Sequence, residues 1–369
     1  MTENTAEGLK VLRDQLDEVD AELVELAARR QQLVSEIGRF KQGRGQQLRD
    51  FRREREVLKL VRARAESVGL DPSLAEMLFR RLIDASLTRQ EQERARLAGR
   101  GEGHRALLIG GAGRMGRWLA GFLDNQGFDV LLADPLLDDD GEKQFRDWRQ
   151  APLDVSLIVV AAPLKESAGI IDELAKRRIA CLVFEIGSIK TPLIESLRRA
   201  AASGLKICSL HPMFGPDTRL LSGRHVLVMD AGCPEAAAEA AGLFADTMAE
   251  LVTIPLDDHD RLMSLVLGLS HALNIAFFTS LVRSGISAEQ LSGISSTTFR
   301  RQLEIARDVA GESPALYHEI QNLNEYGHIA RDALLEAIES LRQAADSPDD
   351  RAMRELMEQG RKYLESLIG

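Results

Sequence analysis

The sequence predicts three successive units: an all-α amino-terminal domain of three helices, a central α/β Rossmann-like domain, and an all-α carboxyl-terminal domain. Over residues 9–40, apolar side chains recur at alternating spacings of three and four, which is typical of one long helix. Strand-like and helical runs then alternate over residues 106–258, which favours a mostly parallel sheet. Residues 259–369 carry helical patterns only. We expect residues 1–95 and 96–105 to be the first domain and a linker.

Composition narrows the class of protein. The chain has 369 residues and a net charge of −10, which argues against a general nucleic-acid binder. Its three cysteines, Cys181, Cys208 and Cys233, show neither paired nor metal-ligand spacing, so no metal site is expected. The start, MTENTAEG, has no basic and apolar signal pattern. A cytoplasmic enzyme is the expectation.

The first helix has one charged residue among its apolar positions. The repeat places Arg30 between Leu26 and Leu33. A buried guanidinium is unfavourable unless an anion meets it, so the helix lines an anion site, or Arg30 snorkels or pairs with a glutamate. Lys41 lies roughly 16 Å along the axis and Arg13 about 25 Å away, at 1.5 Å per residue. If all three cations serve one small ligand, Arg13 comes from a second copy in an intertwined dimer.

A basic segment and a third helix follow. Ten cations lie between residues 39 and 64, facing only three acidic side chains. We interpret this as a solvated face; RNA binding is the weaker alternative, because no aromatic residues interleave. Asp71 and Pro72 are typical of a helix start, and Ser86 and Gln90 then lie one turn apart on one face.

These segments resemble the all-helical chorismate mutase family. The resemblance is carried by LRDQLDEVD, AARRQQLV, GRFKQ, RDFRRERE and DASLTRQ. It implies that Arg30 and Arg53, together with Arg13 of the partner subunit, bind the carboxylates of chorismate, and that Ser86 contacts a carboxylate. It also implies that Lys41 and Gln90 contact the breaking ether oxygen, and that Asp50 and Glu54 lie at the ring hydroxyl. The family register selects Arg53 over Arg52 and Arg55. Such a rearrangement needs no nucleophile, only charges that hold a dianion in its transition state. The alternative is a non-catalytic dimerisation or regulatory module.

A dinucleotide site is predicted where the central domain begins. The apolar run 106–109 precedes Gly111, Gly113 and Gly116, at GxGxxG spacing. The first glycine permits a tight turn, the second lets the backbone approach a pyrophosphate, and the third lets helix and strand pack closely. Arg114 and Met115 lie within this motif.

Two further features specify the cofactor. Asp134 ends the next strand-like run, about 20 residues on, where a carboxylate can bind ribose hydroxyls. Because more acidic residues follow it and would repel a 2′-phosphate, NAD is favoured over NADP. Ala162, Pro163 and Ser188 lie at later strand ends and are expected at the nicotinamide half.

The candidate catalytic base is His211, in LHPMFGPD. It follows a strand-like run and precedes a proline-rich turn that would aim its ring into the cleft. Oxidation of an alcohol needs a base near the hydroxyl, and an imidazole has a suitable pKa. A purely structural histidine is the alternative.

The last third is predicted to be helical. Residues 262–282 are apolar enough to raise a membrane span, but the polar residues among them favour a buried core helix. Arg300 and Arg307 lie seven residues apart on one helical face, as two cations for a dicarboxylate or as surface arginines. The amphipathic tail is expected to form a dimer interface.

The downstream region resembles prephenate dehydrogenase, through GGAGRMGRW, EIGSIK, LHPMFGPD, the His259–Asp260 pair and FRRQLEIAR. With the mutase-like part, the whole chain resembles the bifunctional chorismate mutase–prephenate dehydrogenase family of tyrosine biosynthesis. This implies conversion of chorismate to prephenate and its NAD-dependent oxidative decarboxylation to 4-hydroxyphenylpyruvate by a homodimer, with tyrosine a candidate feedback inhibitor. His211 would accept the proton of the ring hydroxyl; His259 and Arg300 or Arg307 would contact substrate.

Two departures from the family pattern concern the substrate. Ala161 stands where the family commonly has a serine, and Arg307 is displaced by about a residue, so prephenate and its amino analogue arogenate both stay open. A β-hydroxyacid dehydrogenase is disfavoured, because that family uses a lysine in its helical domain and none occurs between Lys206 and Lys362.

Overall fold

The computed structural model describes the backbone of residues 2–42, 49–138 and 140–367. Within the first helix, side chains are described from residue 7 onward, except at positions 39, 41 and 42. The predicted order of an all-α, an α/β and an all-α unit is confirmed.

The amino-terminal domain consists of three helices, as predicted: α1 (Thr2–Gln42), α2 (Phe51–Ser67) and α3 (Pro72–Ala98). Asp50 and Asp71 precede α2 and α3, and each side-chain carboxylate accepts a backbone N–H of the first turn. α3 packs against both other helices.

The amino-terminal half of α1 is not covered by the rest of this chain. Its apolar stripe, from Leu9 to Leu26, consists of side chains that are each at least 50 % exposed. The apolar repeat therefore faces solvent within one chain.

An eight-stranded sheet forms the centre of the molecule. Its strands are β1 (Arg105–Ile109), β2 (Asp129–Ala133), β3 (Gln144–Phe145), β4 (Leu157–Val160), β5 (Leu182–Glu185), β6 (Ile207–Pro212), β7 (His225–Asp230) and β8 (Glu250–Thr253). Their order is β3-β2-β1-β4-β5-β6-β7-β8, and every pair is parallel except β6 with β7. From β1 the chain adds β2 and β3 on one side and β4 and β5 on the other, so the strand order reverses between β1 and β4, where ligands bind in sheets of this kind.

Helices cover both faces of the sheet. They are α4 (Arg114–Asp124), α5 (Leu164–Lys176), α6 (Ile194–Ala202) and α7 (Pro234–Gly242), with a 3₁₀ turn at Trp148–Gln150. Successive residues of one strand enter opposite cores: Leu107 and Ile109 pack on one face, and Ala106 and Leu108 pack on the other. This alternation produces the doubly wound arrangement.

The carboxyl-terminal domain is all-helical. It comprises α8 (Leu256–Met263), a π-helical turn (Ser264–Leu269), α9 (Ser270–Arg283), α10 (Ala288–Gly293), α11 (Thr297–Ala310), α12 (Pro314–Leu323), α13 (Gly327–Asp346) and α14 (Arg351–Ser366).

The apolar stretch at the start of this domain is helical but is not a buried core helix. Leu256–Arg283 is long and apolar enough to cross a membrane, by length and composition alone. Only 11 % of its most apolar 18-residue stretch is buried inside the chain. The prediction of a buried helix is therefore wrong for the single chain. The reason is that α11 packs along one side of α9, whereas Leu265, Val266 and Val282 on the other sides stay exposed.

Two candidate active sites

The dinucleotide loop turns over Gly110, Gly111 and Ala112. Gly110 has φ +92°, and a Cβ there would lie 2.5 Å from the carbonyl of Ala161. Gly111 lies within this turn, and the left-handed backbone that favours glycine falls on its neighbour Gly110. Gly113 precedes α4 and donates its N–H to the Gly110 oxygen at 3.2 Å. A Cβ on Gly116 would collide with that same oxygen, so this glycine has the predicted close-packing role.

A cavity of about 1160 Å³ lies beside this loop at the carboxyl ends of the strands. Six of the nine predicted cofactor residues line it: Gly113, Met115, Asp134, Ala162, Pro163 and Ser188. The other three, Gly111, Arg114 and Gly116, are not among its lining residues. Ala161 also lines it, so the alanine that replaces an expected serine faces this space.

The residues of this cavity fit a dinucleotide. The carboxylate of Asp134 is held by the backbone N–H groups of Ala112, at 3.2 Å, and Leu136, at 2.9 Å. It can accept hydrogen bonds from ribose hydroxyls there, whereas a 2′-phosphate would meet its negative charge. Free N–H groups at the start of α4 suit a pyrophosphate.

A hydrogen-bonded chain of three side chains surrounds the candidate base. His211, in β6, places its Nδ1 2.9 Å from Nε2 of His259, and Nδ1 of His259 lies 2.6 Å from Oδ1 of Asp260. His211 is only 4 % exposed, and His259 is fully buried. β6 extends through His211, so the ring projects from the strand itself and not from the turn after it.

Asp260 is fixed by the segment after β5. Its carboxylate accepts the backbone N–H of Lys190 at 2.8 Å and, from Thr191, the backbone N–H at 2.6 Å and the hydroxyl at 2.5 Å. Burial acts to raise the pKa of Asp260, but these hydrogen bonds and that from His259 outweigh burial and lower it. The side chain is therefore a carboxylate that can only accept.

The direction of the chain determines the tautomer of His211. Because Asp260 only accepts, Nδ1 of His259 carries the hydrogen and its Nε2 is an acceptor. His211 must then donate from Nδ1, which leaves its Nε2 with a free lone pair. Burial, with smaller effects from His259 and Lys190, holds the pKa of His211 well below its ordinary value of 6.5. The ring is accordingly neutral and oriented as a base.

A buried ion pair supports this arrangement and was not predicted. Nζ of Lys190 lies 2.8 Å from Oε1 of Glu185 and donates to the carbonyl of Leu210, also at 2.8 Å. Ser209 donates its hydroxyl to the same glutamate oxygen. Burial lowers the pKa of Lys190, while Glu185 opposes that shift. The available signal was EIGSIK, in which Glu185 ends an apolar strand and Lys190 lies five residues further on.

The residues predicted to contact the dehydrogenase substrate, His259 and Arg300 or Arg307, lie in different surroundings. Both ring nitrogens of His259 are engaged within the protein, which favours orientation of His211 over direct contact with substrate. Arg300 and Arg307 are exposed on α11, and neither side chain forms a hydrogen bond or ion pair with another described residue. Their contact with a substrate carboxylate stays a prediction.

The second candidate site lies in the seam between α1 and α3. Arg30 donates from Nη1 to Ser86 Oγ and to the carbonyl of Leu82, both at 3.0 Å, and its guanidinium lies 5.9 Å from the ring centre of Phe79. Half-burial lowers the pKa of Arg30. No carboxylate among the described residues pairs with it, so the glutamate partner considered above is not found there.

Gln90 continues this seam one helical turn further on. It is buried, and its Nε2 donates to the carbonyl of Val34 at 2.7 Å. A Cβ on Gly38 would lie 3.0 Å from that amide, so the glycine allows the two helices to approach. Arg30, Ser86 and Gln90 thus lie along one seam, as the resemblance to the chorismate mutase family implies.

The residues predicted from α2 make other contacts within the chain. Glu54 pairs through both oxygens with Arg49, at 2.9 and 3.0 Å. Asp50 accepts the backbone N–H of Arg53 at 2.9 Å and so caps α2. The Arg53 side chain is 62 % exposed and lies 3.4 Å from Glu56.

Two predicted cations remain to be placed. Arg13 is exposed on the uncovered half of α1. The side chain of Lys41 lies outside the described residues. The contacts of both with substrate stay predictions.

Three family models match consecutive parts of the chain. The type II chorismate mutase model matches residues 12–91, the nucleotide-binding domain of prephenate dehydrogenase matches residues 126–247, and the dimerization domain of prephenate dehydrogenase matches residues 255–359. The chain belongs to the bifunctional chorismate mutase–prephenate dehydrogenase family.

Two bifunctional relatives align with this chain over most of their length. The T-protein of Enterobacter agglomerans is 29 % identical over 315 residues, covering 85 % of this chain and 81 % of that protein. The T-protein of Haemophilus influenzae is 25 % identical, with the same coverage. The fold also matches that of prephenate dehydrogenase from A. aeolicus in complex with hydroxyphenyl propionate and NAD+, with a TM-score of 0.54 and 18 % identity, covering 72 % of this chain and 96 % of that one.

Membership of this family confirms the two predicted activities, an isomerase and an oxidoreductase, and the prediction of NAD as cofactor. It also places the unexpectedly exposed helix Leu256–Arg283 in a dimerization domain. The assignment of individual site residues depends on the geometry described above.

Proposed function

We propose that this bifunctional enzyme of tyrosine biosynthesis uses the α1–α3 seam to rearrange chorismate to prephenate. It then uses the dinucleotide cavity together with His211, which is not itself among the residues that line that cavity, to convert prephenate to 4-hydroxyphenylpyruvate. The observation that carries the second assignment is the Asp260–His259–His211 chain, because it leaves Nε2 of a buried, neutral ring without a hydrogen-bond partner among the described residues.

In the dehydrogenase reaction, Nε2 of His211 accepts the proton of the ring 4-hydroxyl. The cavity lined by Gly113, Asp134 and Ser188 would hold NAD, which would supply the acceptor for the hydride of the carbon that bears this hydroxyl. The ring carboxylate leaves as CO₂, its bonding electrons complete the aromatic ring, and the phenolate oxygen so formed takes the proton back from His211. Asp260 and His259 keep the proton of His211 on Nδ1 throughout substrate binding. Arg300 or Arg307 holds a substrate carboxylate.

In the mutase reaction, the protein acts by charge and shape alone. Arg30, Ser86 and Gln90 present a cation and two polar groups along one seam, which suits a compact dianion. The family resemblance adds Lys41, Asp50, Arg53 and Glu54 from the same chain. Arg13 is about 25 Å from Arg30 along the helix, so it serves the site of the partner subunit.

We propose a homodimer in which two apolar surfaces are covered. One is the exposed stripe of α1 from Leu9 to Leu26, and the other is the exposed side of Leu256–Arg283. Burial of such surfaces against a second copy removes apolar area from water. A partner subunit, and not lipid, then covers the apolar helix, consistent with work in the cytoplasm. The domain limits 1–95, 106–258 and 259–369 and feedback inhibition by tyrosine complete the proposal.

His211→Asn tests the assignment. Purified protein receives chorismate and NAD, and reduced cofactor and products are followed together. We expect the dehydrogenase kcat to fall by about 10²- to 10⁴-fold while prephenate accumulates at the normal rate. An unchanged kcat would exclude His211 as the base. Supplying arogenate in parallel decides between the two substrates that Ala161 leaves open.

A further inference from the structure

Three consecutive residues of the dehydrogenase part contact the mutase helices. They lie in the loop between β6 and β7. Leu220 packs against an apolar cluster of Leu58, Ile83 and Leu87 on α2 and α3. The N–H of Leu221 donates to Glu91 on α3 at 2.9 Å, and the hydroxyl oxygen of Ser222 accepts from Nη1 of Arg49 at 2.8 Å.

The contact at Glu91 shows that the two parts are docked by buried groups. Glu91 is 3 % exposed, and its other oxygen accepts the N–H of Met248 at 2.5 Å. Burial raises the pKa of Glu91, although the two backbone hydrogen bonds oppose that shift. A carboxylate buried in this way specifies one relative position of the two parts, because any shift would leave it unpaired.

The contact at Ser222 leads to a predicted mutase residue. Nε and Nη2 of Arg49 form a fork onto both oxygens of Glu54, while Nη1 reaches Ser222. The guanidinium also lies 4.6 Å from the ring centre of Phe51. All three sides of the arginine are therefore engaged, and the hydroxyl of Ser222 is the part of this arrangement that the dehydrogenase domain supplies.

We propose that Ser222 is a positioning residue for the mutase reaction, acting through Arg49 to orient the carboxylate of Glu54. The inference rests on the proposed role of Glu54 at the ring hydroxyl of chorismate. A planar guanidinium matches a carboxylate only when its fork is aligned, and a third hydrogen bond fixes the rotation of the fork. Without Ser222, the Arg49–Glu54 pair can rotate as a unit, and the substrate hydroxyl meets a less ordered partner.

The loop is anchored independently on its other side. Asp217 pairs with Arg114 at 2.9 Å, and the carbonyl of Thr218 accepts from Nε1 of Trp118 at 2.7 Å. Removal of the Ser222 hydroxyl touches neither contact. The dehydrogenase reaction should therefore be insensitive to a change that slows the mutase.

The experiment measures both activities of the full-length protein. The variants are Ser222→Ala, Glu54→Gln and their combination. Ser203→Ala is the matched control, since among the described residues its hydroxyl donates to the carbonyl of Ala200, at the end of its own helix, and to no other group. We expect Ser222→Ala to lower the mutase kcat by about three- to tenfold, with KM and dehydrogenase kcat within about twofold of the parent enzyme.

The combination is the decisive measurement. If Ser222 acts through Glu54, Ser222→Ala will lower kcat no further once Glu54→Gln is present. Additive losses, or a Ser222→Ala enzyme with unchanged mutase kcat beside an impaired Glu54→Gln enzyme, would overturn the inference and leave the proposed function standing. An unimpaired Glu54→Gln enzyme would also overturn it, because no catalytic carboxylate would be left to position. Absence of mutase turnover in the parent protein would instead refute the proposed function.

Discussion

Asp260→Asn tests whether His211 acts as a base because its hydrogen is held on Nδ1. Asp260 accepts from four donors: the backbone N–H of Lys190, the backbone N–H and hydroxyl of Thr191, and Nδ1 of His259. Two of these donors meet each carboxylate oxygen. An asparagine can replace only one oxygen, because its amide nitrogen is itself a donor.

The amide oxygen should stay with Thr191, whose two donors are the closest pair, at 2.5 and 2.6 Å. The amide nitrogen then faces His259, whose hydrogen must move from Nδ1 to Nε2. His259 becomes a donor toward Nδ1 of His211, and the hydrogen of His211 moves to Nε2. That is the atom proposed to accept the substrate proton, so the base is lost.

We expect the dehydrogenase kcat of Asp260→Asn to fall by about 10²- to 10⁴-fold, which is the contribution of a general base; a catalytic histidine held in the wrong tautomer loses an amount near the upper end of that range. The backbone N–H of Lys190 also loses its acceptor, which should lower the free energy of unfolding by about 1–3 kcal/mol. Reduced-cofactor absorbance with saturating prephenate measures the first effect, and urea unfolding measures the second.

The matched control is Thr191→Val, which removes one hydroxyl donor and keeps the carboxylate. It should reduce the free energy of unfolding by about 1 kcal/mol and change kcat by no more than about threefold. If Asp260→Asn loses stability but keeps the parent kcat, the tautomer argument is wrong. Equal loss of kcat in both variants would show that general loosening, and not the tautomer, slows the reaction.

Three further predictions concern separate parts of the molecule. Arg30→Ala should lower mutase kcat/KM by at least about 10²-fold and leave dehydrogenase turnover near normal; equal loss of both activities would indicate one shared site. Gly110→Ala should lower the free energy of unfolding by about 1–3 kcal/mol and weaken NAD binding, because Gly110 has a positive φ and lies close to the carbonyl of Ala161. The control is Gly121→Ala on α4, where an added Cβ would meet no described atom within 4 Å outside the backbone of its own helix, and it should be neutral or stabilising. Burial lowers the pKa of both His211 and His259, so below about pH 6.5 the unfolded chain binds more protons than the native one. The free energy of unfolding should therefore decrease as the pH is lowered below about 6.5, and it should level off above that pH. His211→Asn should flatten this dependence in urea unfolding at pH 7.5, 6.5 and 5.5, and an unaltered slope would contradict the assignment.

Local patterns in the sequence predicted the features that arise from near neighbours along the chain. The apolar repeat of the first helix marked Arg30 as the exception, and the structure places it against Ser86 in a half-buried seam. The glycine spacing and Asp134 predicted a strand, a turn and a helix beside a dinucleotide cavity. Spacing could not distinguish Gly110 from Gly111, because both are glycines and only the backbone dihedral angle separates them.

Only the tertiary structure decided which distant residues meet. His211 and His259 are 48 residues apart, Thr191 and Asp260 are 69 apart, and Arg49 and Ser222 are 173 apart. Periodicity and capping act over one or two turns of a helix, so they carry no information about such pairs. The orientation of a base, and the support that one catalytic part gives the other, arise from sheet order and domain docking. For the same reason the sequence showed that Leu256–Arg283 is apolar and helical, but not which of its sides the chain leaves uncovered.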